Sequence, residues 1–167
     1  SGLASAQGQA NRAPAAKGEP QYLTKAEFAA VAALAERLLP RTDTPGAGDA
    51  GVPEFVDVSF GEYMSPGEAA NFRRGLGELR ARCEAERGKD FPALGADEQD
   101  AMMRTLGEEA QGERLAFYRQ LREFVILGYF SSELVGKTVL NYLPIPGRFE
   151  SCVPVESLGN VEWTEHR

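Results

Sequence analysis

Histidine and cysteine are nearly missing from this chain. Among its 167 residues there is one His, His166, and there are two Cys, Cys83 and Cys152. That supply cannot build a His-rich or Cys-rich metal cage or a His-based nucleophilic couple, which argues against a zinc or haem role. An excess of positive charge is also lacking: 18 Lys and Arg stand against 25 Asp and Glu, a net charge of -7. Sequence-independent binding to nucleic acid or to anionic lipid needs a basic face, and the clusters Arg73-Arg74 and Arg80-Ala81-Arg82 sit among glutamates as solvated helix sides. No window approaches the roughly 20 apolar residues of a membrane span. No segment alternates apolar and polar residues as a strand does. The many carboxylates, Glu108, Glu109 and Glu113 among them, have no partner base in view and read as solvated helix faces.

What the chain does have is helical punctuation. Leu23-Thr24-Lys25-Ala26-Glu27-Phe28 combines a capping box, Thr24 with Glu27, and a hydrophobic staple, Leu23 with Phe28. The helix it starts shows Phe28, Val31, Leu34, Ala35, Leu38 and Leu39 to a core until Pro40 stops it. Pro40 to Val52 reads as a long polar connection. Within it Gly46, Gly48 and Gly51 satisfy a G-x-G-x-x-G spacing, but a helix precedes them and Pro53 follows, so the strand and βαβ unit of a dinucleotide site are missing. Pro53 opens a short helix to about Tyr63, with Phe55, Val56 and Phe60 buried. Ser65-Pro66-Gly67-Glu68 is a second capping box, and Ala69, Phe72, Leu76, Leu79 and Cys83 then form a packing seam weakened at Gly75 and Gly77, where another backbone has room to approach. After a break at Gly88 to Gly95, with Phe91 and Leu94 tucked in, Asp97 to Glu109 is helical, with Met102, Met103 and Leu106 inward.

The centre of the chain is Leu115 to Val135. Phe117, Leu121, Phe124 and Gly128 share one stripe flanked by Tyr118 and Val125, and Gly128 to Ser132 ends the helix with hydroxyls suited to capping another. Gly136-Lys137-Thr138 imitates the end of a phosphate loop, but Ser131 stands where that loop needs Gly, and Lys137 reads as a surface residue. The fold expected is all-α: a compact helical bundle over 21–142, a disordered leader at 1–20 and an extended, irregular, Pro-rich arm at 143–167. Nothing ahead of the bundle reads as a charged, apolar, cleavable leader. The arm bears Phe149, Val153, Val155, Leu158 and Trp163, and ordering it costs roughly 1–2 kcal/mol per residue, so it needs a surface to lie on.

Asp43-Thr44-Pro45-Gly46-Ala47, Ala50-Gly51-Val52-Pro53-Glu54-Phe55-Val56-Asp57 and Gly128-Tyr129-Phe130-Ser131-Ser132-Glu133 resemble the gluconate 2-dehydrogenase subunit 3 family over most of the chain, Leu23 to Pro154. That resemblance implies a non-catalytic small subunit, with no cofactor of its own, beside a large flavoprotein of the glucose-methanol-choline type that holds FAD and the active site. Some complexes of the family add a cytochrome as electron acceptor. The family often carries a twin-arginine export signal, absent from this chain, and works in the periplasm. The arm from Asn141 to Pro154 is similar to members whose partners oxidise the C3 hydroxyl of glycosides; the departure after Ser131 makes a sugar or glycoside a better substrate than gluconate. A partner interface is expected at Tyr129 and Phe130 and, in the arm, at Tyr142, Pro144, Pro146, Arg148, Phe149, Cys152, Pro154 and Trp163. Cys83 continues an apolar seam as a buried thiol, whereas three states stay open for Cys152: a bond to the partner, a bond to Cys83, or a reduced thiol. The competing reading is a stand-alone helical module that binds a ligand or a protein.

Overall fold

The computed structural model describes residues 18–109, 111–140 and 154, with the backbone alone at 113–115; all its regular elements within those residues are helical. Thr24 Oγ1 accepts from Glu27 N–H while Glu27 Oε2 accepts from Thr24 N–H, and this closed box starts α1, Lys25–Leu38. Helix α2, Val52–Val58, carries Pro53 in its first turn and runs on as a π-helical turn, Ser59–Tyr63, closed by Met64 N–H to the Ser59 carbonyl. Ser65 and Glu68 form the second box and start α3, Pro66–Arg87, which Gly88 ends in the left-handed conformation. A 3₁₀ turn, Phe91–Ala93, leads to α4, Ala96–Glu108. Helix α5 is Gly112–Phe130, and Ser132 caps α6, Glu133–Thr138, through Val135 N–H.

Helix α5 lies chiefly against α3 and α2, while α1 packs on α2, α4 and the 3₁₀ turn. Phe60, Phe72 and Phe117 form an aromatic run through the centre, with ring centroids 6.0 and 5.5 Å apart in tilted and edge-on arrangements. Phe91 and Leu94 are buried as the sequence predicts, and the Gln99 side chain donates to the Phe91 carbonyl. Cys83 is a free thiol with no exposed surface, and burial pushes it up to about 11.

One expectation for α5 changes. Phe117, Leu121 and Gly128 of the expected stripe are buried, but Val125 and Tyr129 share the buried side and Phe124 is only half-buried. The helix ends within Gly128 to Ser132 as the sequence predicts, at Phe130, and Ser132 caps α6. Gly128 admits Phe55 of α2: a Cβ at 128 would lie 2.7 Å from Phe55 Cδ1, and Phe55 itself is half-buried rather than buried. Gly75 of α3 likewise receives the Phe117 ring, 2.3 Å from where a Cβ would stand, so a ring and not a backbone uses the gap. In both places the glycine lets two helices close over an aromatic side chain.

The leader up to residue 17 and the arm from 141 on, Pro154 excepted, lie outside the described residues. So do Tyr142, Pro144, Pro146, Arg148, Phe149, Cys152 and Trp163; of the states open to Cys152, the bond to Cys83 is not formed, since Cys83 is a free thiol. No helix among the described residues is long and apolar enough to cross a membrane, and within them no three His, Cys, Asp or Glu side chains gather as metal ligands.

Candidate functional site

The connection between α1 and α2 is a built structure rather than a slack polar link. Glu36, in the last turn of α1, accepts Arg41 N–H on Oε1 and Gly48 N–H on Oε2, each at 3.2 Å. Asp49 accepts Gly46 N–H at 3.0 Å and pairs with Arg41. Ala47 N–H then reaches the Leu39 carbonyl, and Val52 N–H the Ala47 carbonyl, so the loop is folded back on the helix end it leaves. The glycine spacing thus serves two carboxylates of the chain itself, between two helices and without a strand on either side.

This loop meets the end of α5. The Tyr129 hydroxyl donates to the Pro45 carbonyl at 2.8 Å, so two of the three stretches that carry the family resemblance are in direct contact. The third joins them where Phe55 lies on Gly128. Beside them Arg41, Thr42, Thr44, Pro45, Leu134 and Val139 line an open cleft of about 590 Å³. Tyr129 is buried in the body at 5% exposure, its ring edge-on to that of Phe130 at 5.3 Å, and Phe130 stands 44% exposed. Pro154, the one described position of the arm, is exposed. Lys137 is a surface residue, as the sequence predicts, and pairs with Glu133 one turn away.

Sequence reasoning gives no role to Asp57. It sits on the buried side of α2 at 1% exposure and accepts three backbone amides, Gln21 at 2.6 Å, Tyr22 at 3.1 Å and Leu23 at 2.7 Å. A carboxylate with three N–H donors is the anion-binding arrangement of consecutive amides, used here to clamp the segment before α1 onto α2. Tyr22 completes the clamp: its hydroxyl donates to Glu62 at 2.7 Å, and its ring occupies the space over Gly61. The signal available in the sequence was an acid set between Val56 and Phe60 on the apolar side of a short helix.

A second cleft, about 350 Å³, opens between α3, α4 and α5 over Leu79, Met102, Leu106 and Phe117. On its rim Arg82 bonds Glu86 at 2.7 Å and Glu109 at 2.6 Å. Those bonds, to Glu109 first, raise the Arg82 pKa further above its ordinary value. Three glutamates, Glu78, Glu86 and Glu109, stand around that one cation, so the rim is net acidic.

A sequence model of the family described as gluconate 2-dehydrogenase subunit 3 matches residues 25–147. No curated protein and no solved structure matches the chain. The matched span holds all three contacting stretches and every helix from α1 to α6. On that span the chain belongs to the gluconate 2-dehydrogenase subunit 3 family, and so to the accessory subunits that associate with a dehydrogenase catalytic subunit.

Proposed function

We propose that the chain is the non-catalytic small subunit of a periplasmic FAD-dependent dehydrogenase of the glucose-methanol-choline type, which it stabilises and accompanies through export. The partner's substrate is a sugar or glycoside, oxidised at the C3 hydroxyl. The observation that carries this reading is the family match over residues 25–147, most of the helical body. In this reading the FAD and the reacting groups belong to the large subunit, and a cytochrome takes the electrons. The small subunit contributes burial: a surface that binds the folded large subunit and not its unfolded chain stabilises it by mass action, by about 2.7 kcal/mol at a hundredfold excess over the dissociation constant.

Co-expression with a flavoprotein encoded beside it tests the proposal. The large subunit should be recovered in higher yield, with more flavin per chain and a higher melting temperature, when this chain is present. A large subunit equally stable and active without it, or stoichiometric flavin in this chain purified alone, would overturn the reading.

A further inference from the structure

The last two turns of α5 are apolar right round the helix. Val125, Gly128 and Tyr129 face the body and are buried, while Ile126, Leu127 and Phe130 point away, 40%, 56% and 44% exposed. Leu134, in the first turn of α6, is 38% exposed. The run Val125 to Phe130 holds no charged residue. Helices apolar on all sides are ordinarily covered on all sides, and here the body covers one.

We propose that this outward face, Ile126, Leu127 and Phe130 with Leu134 beside it, is the docking surface for the dehydrogenase's catalytic subunit. The proposal rests on the small-subunit reading above and adds the place of contact. Area decides what kind of contact it makes. The four side chains expose roughly 300–400 Å² of apolar surface, in the range where a monomer's largest patch is often functional. A stable interface takes about 800 Å² from each partner, so the patch is the apolar centre of a larger contact. The polar rim that such a centre needs is at hand in Glu123, Glu133 and Lys137, all exposed.

Charge argues against a second copy as the occupant, since each chain carries -7 and two copies repel, whereas the family associates with a dehydrogenase catalytic subunit. The chain's own residues beyond Leu140 are the remaining occupant, which the test separates from the partner.

Leu127→Gln and Phe130→Gln, made singly, keep helix propensity and remove the apolar contact. Arg104→Ser, an exposed change on α4, is the control. Each is measured as the full chain for affinity to the large subunit, for melting temperature and for oligomeric state. The expected result is affinity weakened about thirtyfold or more by each Gln variant, an effect of about 2 kcal/mol, with unchanged melting and an unchanged control. Unaltered affinity in both variants overturns the docking surface while leaving the small-subunit reading in place. A wild-type chain that does not bind the flavoprotein at all overturns that reading, and the docking surface with it. A dimeric wild type made monomeric by either variant assigns the face to a second copy. A lower melting temperature in both variants, reproduced by ending the chain at Leu140, assigns it to the chain's own arm.

Discussion

Tyr129 holds Pro45 across 84 residues of sequence, its hydroxyl donating to the Pro45 carbonyl at 2.8 Å. The bond ties the loop between α1 and α2 to the far end of α5. Tyr129→Phe keeps the ring and removes only the donor. It should cost about 1 kcal/mol, or about 4 °C of melting temperature, and speed amide exchange in the 42–48 loop more than in α1. Equal exchange in loop and helix would show that the loop is held by Glu36 and Asp49 alone.

Asp57→Ala would strand three amides that now share one carboxylate. A loss of about 2–4 kcal/mol is expected from urea unfolding. Asp57→Asn retains an acceptor oxygen, although its amide nitrogen can no longer accept, and should lose less than half as much. Equal losses in the two variants would mean that shape, and not acceptor count, sets the clamp.

Gly128→Ala forces the Phe55 ring aside, since the added Cβ would lie 2.7 Å from it. The substitution should cost about 1–3 kcal/mol despite alanine's better helix propensity. In a Phe55→Ala background the same change should be neutral or slightly stabilising. Additive costs in that double-mutant cycle would place the strain elsewhere.

Two partly buried carboxylates, Asp90 and Glu27, should contribute to acid unfolding. Arg80, bonded to both Asp90 oxygens, holds Asp90 below its ordinary pKa. For Glu27, burial pushes the pKa up, but the Thr24 hydrogen bonds and Arg73 outweigh it and leave a net lowering. Both folded pKa values therefore lie below the unfolded ones, near 4. Their stabilisation is complete above that pH and is lost as pH falls through the folded values. The urea midpoint should be flat from pH 6 to 8 and fall below about pH 4, and Arg80→Ala should make that fall shallower. An acid limb of unchanged slope in the variant would exclude the Arg80–Asp90 pair as a source.

Both capping boxes and the boundaries of α1 and α3 were legible in the sequence, because Thr24 with Glu27 and Ser65 with Glu68 are local signals that need no tertiary partner. The phase of α5 was not. Residues 125–130 are apolar on every side, so their pattern fits several rotations of the helix, and packing on Phe55 and Pro45 selected the one with Val125 and Tyr129 inward. The loop at 40–52 read as a polar connection because part of its order comes from Glu36, a residue of the helix before it. Asp57 was missed for the same reason: its partners are backbone amides, and amides leave no trace in composition. Of the expected interface, Phe130 stands exposed and Tyr129 lies inside.

The Tyr129 to Pro45 bond also sets an order of events on the ribosome. The clamp of Asp57 on residues 21–23 joins positions 34 to 36 apart, so α1, α2 and their strap can assemble while the chain is still short. Helix α5, which supplies Phe117 to Gly75 and Tyr129 to the loop, is made some sixty residues later, several seconds at ordinary rates of synthesis. Through that interval Phe55, Phe72 and Gly75 lack their partners on α5. The nascent chain is therefore at its most adhesive before α5 emerges, and a holdase acting on it would have its work between the emergence of α3 and that of α5.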